Sequence, residues 1–179
     1  MPSSGALTLR PATAADADIL ARWDREPHVI ACSTDDPQAE IAFGGVPWAA
    51  ELAAQSPVSF YLMAELEGRP VGVMQLIDPH LEAEHYWGEI EPNLWAIDIW
   101  IGPKDALGQG LGTRMMTAAL ERCFTDPAVK AVVIDPLASN TQAHRFYRRL
   151  GFAPVGRRLF GDDDCLVHRL DRKDWRGAA

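Results

Sequence analysis

The chain is poor in the features that mark a secreted, membrane-bound or disulfide-stabilised protein. Its three cysteines, Cys32, Cys123 and Cys165, lie far apart and form no CxxC pair, which excludes a disulfide framework and a cysteine metal centre. No apolar run approaches the roughly 18 to 20 residues that span a membrane. Residues 1–5 lack the basic and then apolar start of a secretory signal. We therefore expect a cytoplasmic protein with free thiols and no membrane partner.

Positive charge is also scarce. The 17 lysines and arginines are outnumbered by 25 aspartates and glutamates, which gives a formal net charge of −8. Nucleic-acid-binding proteins present basic surfaces, so this balance disfavours a nucleic-acid partner and suits a small cationic one. The length of 179 residues is that of one domain, which we place at residues 6–175 with tails at 1–5 and 176–179. A monomer and a homodimer both fit these properties.

A glycine-rich loop at residues 108–113 follows a predicted strand at 95–101 and precedes a predicted helix at 115–124. Glycine tolerates a positive φ and has no Cβ, so such a loop turns sharply and brings its amides close to a ligand. The helix behind it adds unsatisfied N–H groups and the positive end of its dipole. These features predict a site for phosphate or pyrophosphate. The alternative is a loop that needs glycine only to turn.

The other patterns predict an α+β chain with a single sheet. The segment 131–135 is typical of a buried parallel strand, and Ser139 with Gln142 matches a helix capping box. Residues 26–46 have no periodicity, and we interpret them as a wall on the substrate side that contains a short helix. Predicted strands lie at 6–10, 59–66, 71–77, 95–101, 131–135, 153–160 and 165–171, and the other predicted helices start at Thr13, Pro47 and Ser139.

Two aspartates are candidate site residues, because each stands where a carboxylate calls for a partner or a ligand. In the predicted strand 95–101, Asp98 lies on the same face as Ala96 and Trp100, inside an otherwise apolar pattern. A buried carboxylate needs a compensating partner or ligand, and the alternative to a ligand is a structural salt bridge to an arginine. Asp135 ends the adjacent strand, where ligand sites of such sheets lie. Its alternative role is that of an Asp-Pro strand terminator.

An acidic segment with two aromatic residues precedes the strand at 95–101. It is a candidate rim for a cationic acceptor, and the alternative is a solvated acidic loop. His80 and His85 flank two glutamates without metal-site spacing, so we expect no metal. The segment contains Glu82, Glu84, Tyr86, Trp87, Glu89 and Glu91, of which Trp87, Glu89 and Glu91 are the predicted acceptor contacts.

These motifs resemble the GNAT superfamily of acyl-CoA-dependent N-acyltransferases. The loop reads Leu107-Gly108-Gln109-Gly110-Leu111-Gly112, where the superfamily has Arg/Gln-x-x-Gly-x-Gly/Ala, so that Leu107 replaces a polar residue. The chain is most similar to the aminoglycoside 6′-N-acetyltransferases, over residues 95–156. It departs from them at residues 28–33, which read His-Val-Ile-Ala-Cys-Ser where that family has a tryptophan-rich patch. The motifs that carry the similarity are Ala96-Ile97-Asp98, the loop with Thr113, Asp126-Pro127, Asp135-Pro136, Ser139-Asn140, Phe146-Tyr147 and Leu150-Gly151-Phe152.

The resemblance implies a GNAT fold, acetyl-CoA as co-substrate, and a mixed, mostly antiparallel sheet. This sheet would be splayed between its fourth and fifth strands and flanked by helices on both faces. The implied reaction transfers acetyl to an amine that arrives protonated, so Asp98 and Asp135 are the candidates for binding the amine and accepting its proton. Asp135 would lie beside the acceptor amine. Tyr147 would protonate the departing thiolate, unless it is an ordinary core tyrosine with a satisfied hydroxyl. The expected coenzyme contacts are amides near Ile99, Trp100 and Ile101, the loop residues Gln109, Gly110, Leu111, Gly112 and Thr113, and the side chains of Arg114, Asn140 and Tyr147.

The predicted function is acetyl transfer from acetyl-CoA to a primary amine of a small cationic acceptor, with an aminoglycoside as the leading candidate. Arg114 is alternatively a solvated surface charge, and Asn140 a helix cap. Two rival functions stand beside this one. The first is a siderophore-pathway acyltransferase that acts on hydroxylated lysine or ornithine. The second is a coenzyme A-binding module that has lost its chemistry.

Overall fold

The computed structural model describes residues 5–177. The predicted tails at 1–5 and 176–179 lie largely outside this range. Short 3₁₀ turns lie at Ala14–Asp16, Lys104–Ala106 and Arg172–Asp174. The main elements are β1 (Leu7–Pro11), α1 (Ala17–Trp23), α2 (Pro27–Ser33), α3 (Trp48–Ala53), β2 (Ser59–Leu66), β3 (Arg69–Ile77), β4 (Leu94–Ile101), α4 (Leu111–Thr125), β5 (Ala131–Ile134), α5 (Thr141–Arg149), β6 (Ala153–Phe160) and β7 (Asp163–Asp171).

The seven strands form one sheet in the order β1-β2-β3-β4-β5-β7-β6. Of its six strand pairs, β4 with β5 is parallel and the others are antiparallel. The parallel pairing extends only from Leu94 opposite Ala131 to Ala96 opposite Val133, whereas β4 continues to Ile101. We call the opening between β4 and β5 beyond Ala96 the splay. The expected mixed, mostly antiparallel sheet with a splay between its fourth and fifth strands is confirmed.

Helices cover both faces of the sheet, also as expected. On one face, α4 buries Met116 and Leu120 and α5 buries Tyr147 against strand residues that include Ile97. On the other face, α1 and α3 pack through Leu20 and Trp48 against Tyr61, Met63, Val73 and Trp100. This division follows the period-two alternation of β4, in which Ile97 faces one layer while Asp98 and Trp100 face the other. Within residues 5–177, no helix is long and apolar enough to cross a membrane.

The segment at residues 26–46 does contain a short helix, α2, with Pro27 at its first position. Proline is tolerated there because the first N–H groups of a helix have no intrahelical acceptor. The rest of the segment is irregular but is anchored to distant elements. The Thr34 hydroxyl donates to Asp163 at 2.9 Å, and the Ala42 N–H donates to the Asp24 carbonyl at 2.8 Å.

Two predicted helix starts were wrong. Helix α4 begins at Leu111, directly after Gly110 and with Gly112 inside it, rather than near residue 115. The N-cap of α5 is Asn140, whose Oδ1 accepts the Ala143 N–H at 3.0 Å. Ser139, the predicted cap, instead donates its hydroxyl to Asp35 at 2.6 Å. Both residue types cap helices well, and a sequence pattern does not distinguish two polar candidates one position apart.

Candidate active site

The loop before α4 presents unsatisfied main-chain N–H groups at one end of the splay. Gly108 and Gly110 have φ of 73° and 75°, and Gly110 is the N-cap of α4. The Arg114 N–H donates to the Gly110 carbonyl at 3.3 Å, so the preceding N–H groups of the first turn have no intrahelical acceptor. The N-terminus of this 15-residue helix is thus suited to an anion.

The side chains around this loop are already engaged in contacts of their own. Leu111 is fully buried, so only its main chain can reach a ligand. Gln109 donates its amide to the Asp105 carbonyl at 2.6 Å. The Arg114 guanidinium donates to the Gly5 carbonyl at 2.6 Å, and so it is not the purely solvated charge of the alternative interpretation. The anion site therefore consists chiefly of backbone.

The edge of β4 that faces the splay also has N–H groups to offer. Gly102 donates to Val71 on β3 at 3.1 Å, and Lys130 of the β5 side donates to the Asn93 carbonyl at 2.8 Å. Main-chain groups alternate in direction along a strand, so Ile99 and Ile101 direct theirs toward β5 beyond the last parallel pair. His28 Nε2 lies 3.0 Å from the Ile101 carbonyl oxygen on this edge.

Trp100 does not share this orientation, which corrects the expectation that its amide contacts the coenzyme. By the same alternation its main chain faces β3, where its carbonyl oxygen lies close to Gly72. Its ring is buried with Trp48 and Phe43 on the helix α3 side of the sheet. The main-chain N–H groups that point into the splay are those of its two neighbours, Ile99 and Ile101.

A row of polar side chains crosses one face of the sheet and ends at the splay. Tyr61 is in register with Gln75, and Gln75 with Asp98. Asp135 follows on the far side of the splay. Ala96 and Val133 are the last pair of residues in register, and Asp98 and Asp135 each lie two residues beyond their member of that pair. The two aspartates therefore occupy equivalent positions on the separated strands. Sequence reasoning identified both of them and missed Gln75 and Tyr61, whose place depends on the register of the β2–β3 hairpin.

Burial raises the pKa of both aspartates, and the charge of Asp135 raises that of Asp98 further. Burial, and then the charge of Asp135, raise the pKa of Asp98 to about 7. Burial raises the pKa of Asp135, and the Tyr86 hydroxyl, which donates to its Oδ2 at 2.7 Å, acts in the opposite direction. Within residues 5–177 Asp98 forms no salt bridge, so the alternative of a structural ion pair is wrong. A carboxylate with a pKa near neutrality is matched to accepting a proton at physiological pH.

Tyr147 lies on α5 with its ring in the core and its hydroxyl without a hydrogen bond to any residue in the range 5–177. Its exposure is 8%, and the rings of Phe146, Phe152 and His168 surround it. Burial, followed by the negative charges of Asp98 and Asp135, raises its pKa. The ring fits the core interpretation but the unsatisfied hydroxyl does not. A tyrosine whose hydroxyl is kept protonated in this way can donate a proton.

The acidic segment before β4 does not form the predicted rim. Trp87, predicted to contact the acceptor, is 3% exposed and packs edge-on against Phe160 at 5.0 Å. Its apolar ring is more stable in the core under β4 and β5 than in solvent. Glu82 is also buried, and it accepts the N–H groups of Glu84 and Tyr86. The residue of this segment that reaches the site is Tyr86, which stacks on Phe160 at 4.7 Å.

Glu91 was also predicted to contact the acceptor, but it lies at the end of β4 and β5 that is opposite to Asp135. It precedes β4, whereas Asp135 follows the parallel strand β5. Its carboxylate contacts Arg169 at 2.6 Å and Lys130 at 3.7 Å. Glu89 is exposed on the same loop. In the part of the chain that the structure describes, no three His, Cys, Asp or Glu side chains are placed to hold a metal.

Asn140 has two contacts at the start of α5. Its Oδ1 caps the helix, as the alternative interpretation proposed, and its Nδ2 donates to the Cys32 sulfur at 3.6 Å. Cys32 therefore lies beside the start of α5, a position that the sequence did not suggest. Together the side chains can bind a cation, accept its proton and protonate a leaving group, while the N–H groups of α4 and β4 can hold anionic oxygens.

Comparison with known proteins agrees with this geometry. Residues 12–160 match the family described as acetyltransferase (GNAT) domain. An aminoglycoside N(6′)-acetyltransferase type 1 of Klebsiella pneumoniae is 30% identical over 156 residues, which cover 86% of this chain and 77% of that protein. The lysine N-acyltransferase MbtK of Mycolicibacterium paratuberculosis is 25% identical over 165 residues, which cover 90% and 70%.

A solved structure supports the same assignment. The aminoglycoside acetyltransferase AAC(6′)-Ib in complex with ribostamycin and coenzyme A superposes with a TM-score of 0.82 at 26% identity, covering 97% of this chain and 99% of that one. The splayed sheet, the amide-lined loop before α4 and the extent of the match together show that this chain belongs to the GNAT acetyltransferase family.

Proposed function

We propose that the protein transfers the acetyl group of acetyl-CoA to a primary amine of an aminoglycoside, with 6′-N-acetyltransferase specificity. The observation that carries this proposal is the facing of Asp98 and Asp135 across the splay, at equivalent positions on separated strands. Together with the 30% identical aminoglycoside N(6′)-acetyltransferase, this pair favours a cationic acceptor.

The aspartate pair explains how an amine is bound and then activated. A free alkylamine has a pKa of roughly 10, as lysine does, so it arrives protonated at neutral pH and must lose a proton before it attacks. The negative charge of Asp98 and Asp135 attracts the ammonium group. Because the pKa of Asp98 is about 7, its carboxylate can then take the proton directly or through a water molecule. Gln75 and Tyr61 extend the polar row on which the rest of the acceptor lies.

The remaining steps fall to main-chain groups and to Tyr147. The N–H groups at Gln109 to Thr113 bind the pyrophosphate of the coenzyme, and the open amides of Ile99 and Ile101 stabilise the oxyanion of the tetrahedral intermediate. Tyr147 donates its hydroxyl proton to the departing thiolate, because burial among negative charges keeps the hydroxyl protonated until then. Asn140 stands at the start of α5, the helix that carries Tyr147.

The second candidate is acylation of a hydroxylated lysine or ornithine, which the relative named lysine N-acyltransferase MbtK favours. Such an acceptor carries a carboxylate as well as an amine, and it therefore needs a cation in the site. The polar row supplies two aspartates with a glutamine and a tyrosine. The arginine whose charge acts on Asp135 is Arg158, and its guanidinium is already engaged, since it donates to the Trp87 carbonyl at 2.6 Å and lies over the Phe160 ring. We therefore place the aminoglycoside first.

A thiol-release assay with acetyl-CoA tests the proposal. Kanamycin, tobramycin and ribostamycin are compared with N6-hydroxylysine and with spermidine at equal concentration. Rapid release with the aminoglycosides alone supports the proposal, and release with hydroxylysine alone replaces it by the second candidate. Calorimetric binding of acetyl-CoA with no release for any amine indicates a binding module without chemistry.

A further inference from the structure

Glu82 is a buried carboxylate that the proposed chemistry does not use. It lies in the loop between β3 and β4 and is 7% exposed. Its Oε2 accepts the Glu84 N–H at 2.9 Å, and its Oε1 accepts the Tyr86 N–H at 2.5 Å. A buried carboxylate costs free energy unless its oxygens are hydrogen-bonded, and here two main-chain groups of the same loop supply those bonds. The Glu82 side chain therefore holds residues 82–86 in one turn.

The backbone of this turn needs such a support. His85 has a φ of 49°, in the left-handed region that residues other than glycine rarely adopt. Its N–H donates to the Glu82 carbonyl at 3.4 Å, and its carbonyl accepts the Gly88 N–H at 2.8 Å. A strained residue keeps its conformation only where the surrounding structure fixes it. The two bonds to the Glu82 side chain come from the residues on either side of His85, so they fix its conformation.

The turn ends at Tyr86, whose hydroxyl reaches the candidate site. That hydroxyl donates to Asp135 Oδ2 at 2.7 Å. The next residue, Trp87, is buried in the core, and its carbonyl oxygen accepts a hydrogen bond from Arg158 at 2.6 Å. Tyr86 is thus fixed on both sides along the chain, by Glu82 before it and by Trp87 after it.

We propose that Glu82 is a positioning residue for acetyl transfer, because its carboxylate holds the turn that places the Tyr86 hydroxyl on Asp135. This inference rests on the proposed function, in which Asp135 attracts the acceptor amine. Glu82 acts on the reaction only through Tyr86. Without the two hydrogen bonds to Glu82, His85 relaxes to a negative φ and the Tyr86 hydroxyl leaves Asp135.

The departure of that hydroxyl changes how readily Asp135 holds a proton. Burial raises the pKa of Asp135, and the Tyr86 hydrogen bond acts in the opposite direction. Loss of the bond therefore raises this pKa further, and the carboxylate form of Asp135 is lost at a higher pH. Other titratable or charged groups that interact with Asp135 are Asp98 on β4, Tyr147 on α5, Arg158 on β6 and Cys165 on β7.

A double-mutant cycle tests whether Glu82 acts through Tyr86. Glutamine keeps the volume of Glu82 but replaces one acceptor oxygen by an NH2 group, which cannot accept a main-chain N–H. With kanamycin as acceptor, Glu82→Gln should lower kcat/KM roughly twofold to fivefold at neutral pH and move the acidic limb of the pH–rate profile to higher pH. Because Tyr86→Phe already removes the hydroxyl, Glu82→Gln should cause no further loss in that background. Losses that multiply, or a Glu82→Gln profile that coincides with that of wild type, would overturn the inference.

Asp78→Ala is the matched control for a general loosening of the loop. The Asp78 Oδ1 accepts the His80 and Leu81 N–H groups at 3.0 and 3.1 Å, at the start of the same loop. Its removal weakens a turn that precedes Glu82, so the acidic limb of the profile should stay in place. An equal movement of that limb in Asp78→Ala would overturn the assignment to Glu82.

A spectroscopic readout separates this inference from the proposed function. The chain has three tyrosines, so labelling with 3-fluorotyrosine gives three ¹⁹F resonances, and Tyr86→Phe identifies that of Tyr86. Glu82→Gln should shift this resonance and Asp78→Ala should not. An unmoved Tyr86 resonance in an active Glu82→Gln enzyme would overturn the inference and leave the proposed function intact. A wild-type protein that releases no thiol with any amine would remove the proposed function, and with it the role of Glu82 in catalysis, even where the resonance moves.

Discussion

The two sides of the candidate site are built from different parts of the polypeptide. The proposed coenzyme side consists of main-chain N–H groups, at the glycine loop before α4 and on the free edge of β4. The acceptor side consists of side chains, which are Asp98, Asp135 and the polar row that ends at them. A main-chain site depends on backbone conformation and tolerates most substitutions that preserve it. A side-chain site loses its chemistry when a single reacting atom is replaced.

The largest effect is expected from Asp98→Asn, which breaks the acceptor side. The amide cannot accept the proton of the bound amine, so we expect kcat to fall about a thousandfold, within the range typical of a lost general base. Acetyl-CoA affinity, measured by calorimetry, should survive because the amides are untouched. Glu91→Gln is the matched control: Glu91 lies at the other end of the strands, paired with Arg169, and its loss should leave turnover near wild type. An equal fall of kcat in Asp98→Asn and Glu91→Gln would show that loss of any negative charge slows the reaction and that Asp98 is not the base.

Tyr147→Phe should lower kcat about a hundredfold, which is the smaller end of the range for a lost general acid. The phenylalanine keeps the ring contacts with Phe146 and Phe152, so the melting temperature should change little. Rates are measured with acetyl-CoA and with a thioester whose thiol is more acidic. Because a better leaving group needs less protonation, the variant should recover most of its rate with that thioester. A uniform loss with both thioesters would assign Tyr147 to the core.

Gly110→Val tests the main-chain side. A branched residue at a φ of 75° is strained, so the loop must rearrange and its amides must leave their positions. We expect the Kd for acetyl-CoA to rise by a factor on the order of ten or more, since several oriented N–H groups are lost together. Gly161→Val imposes similar strain in the β6–β7 turn, where φ is 59°, and should leave the Kd unchanged. Similar Kd values for Gly110→Val and wild type would show that the loop is only a turn.

Tyr86→Phe should have the smallest effect and sharpens the electrostatic account. The Tyr86 hydroxyl lowers the pKa of Asp135 by donating to it, so its removal should raise that pKa further. We expect a loss of roughly twofold to fivefold at neutral pH, at the lower end of what one hydrogen bond contributes. The acidic limb of the pH–rate profile should move to higher pH. A shift to lower pH would contradict the assigned direction.

The coenzyme side was the more predictable of the two from sequence. The glycine loop and the stripe with Tyr147 are local patterns, in which a few neighbouring residues determine the backbone. The acceptor side depends on relations between distant segments. Gln75 reaches Asp98 only through the register of β3 with β4, and the acidic loop turns Trp87 inward and Tyr86 toward Asp135. Neighbouring aromatic residues do not show which of them will be buried.

The pH dependence of kcat/KM tests most directly whether the facing aspartates accept the proton of the amine. Since burial and Asp135 raise the pKa of Asp98 to about 7, the base is protonated and inactive below that value and becomes competent above it. With kanamycin as acceptor, the wild-type profile should bend near pH 7, and Asp98→Asn should lose the bend while keeping the slower rise due to ionisation of the amine itself. A wild-type profile without a bend between pH 5 and 8, or one that Asp98→Asn leaves in place, would contradict the account.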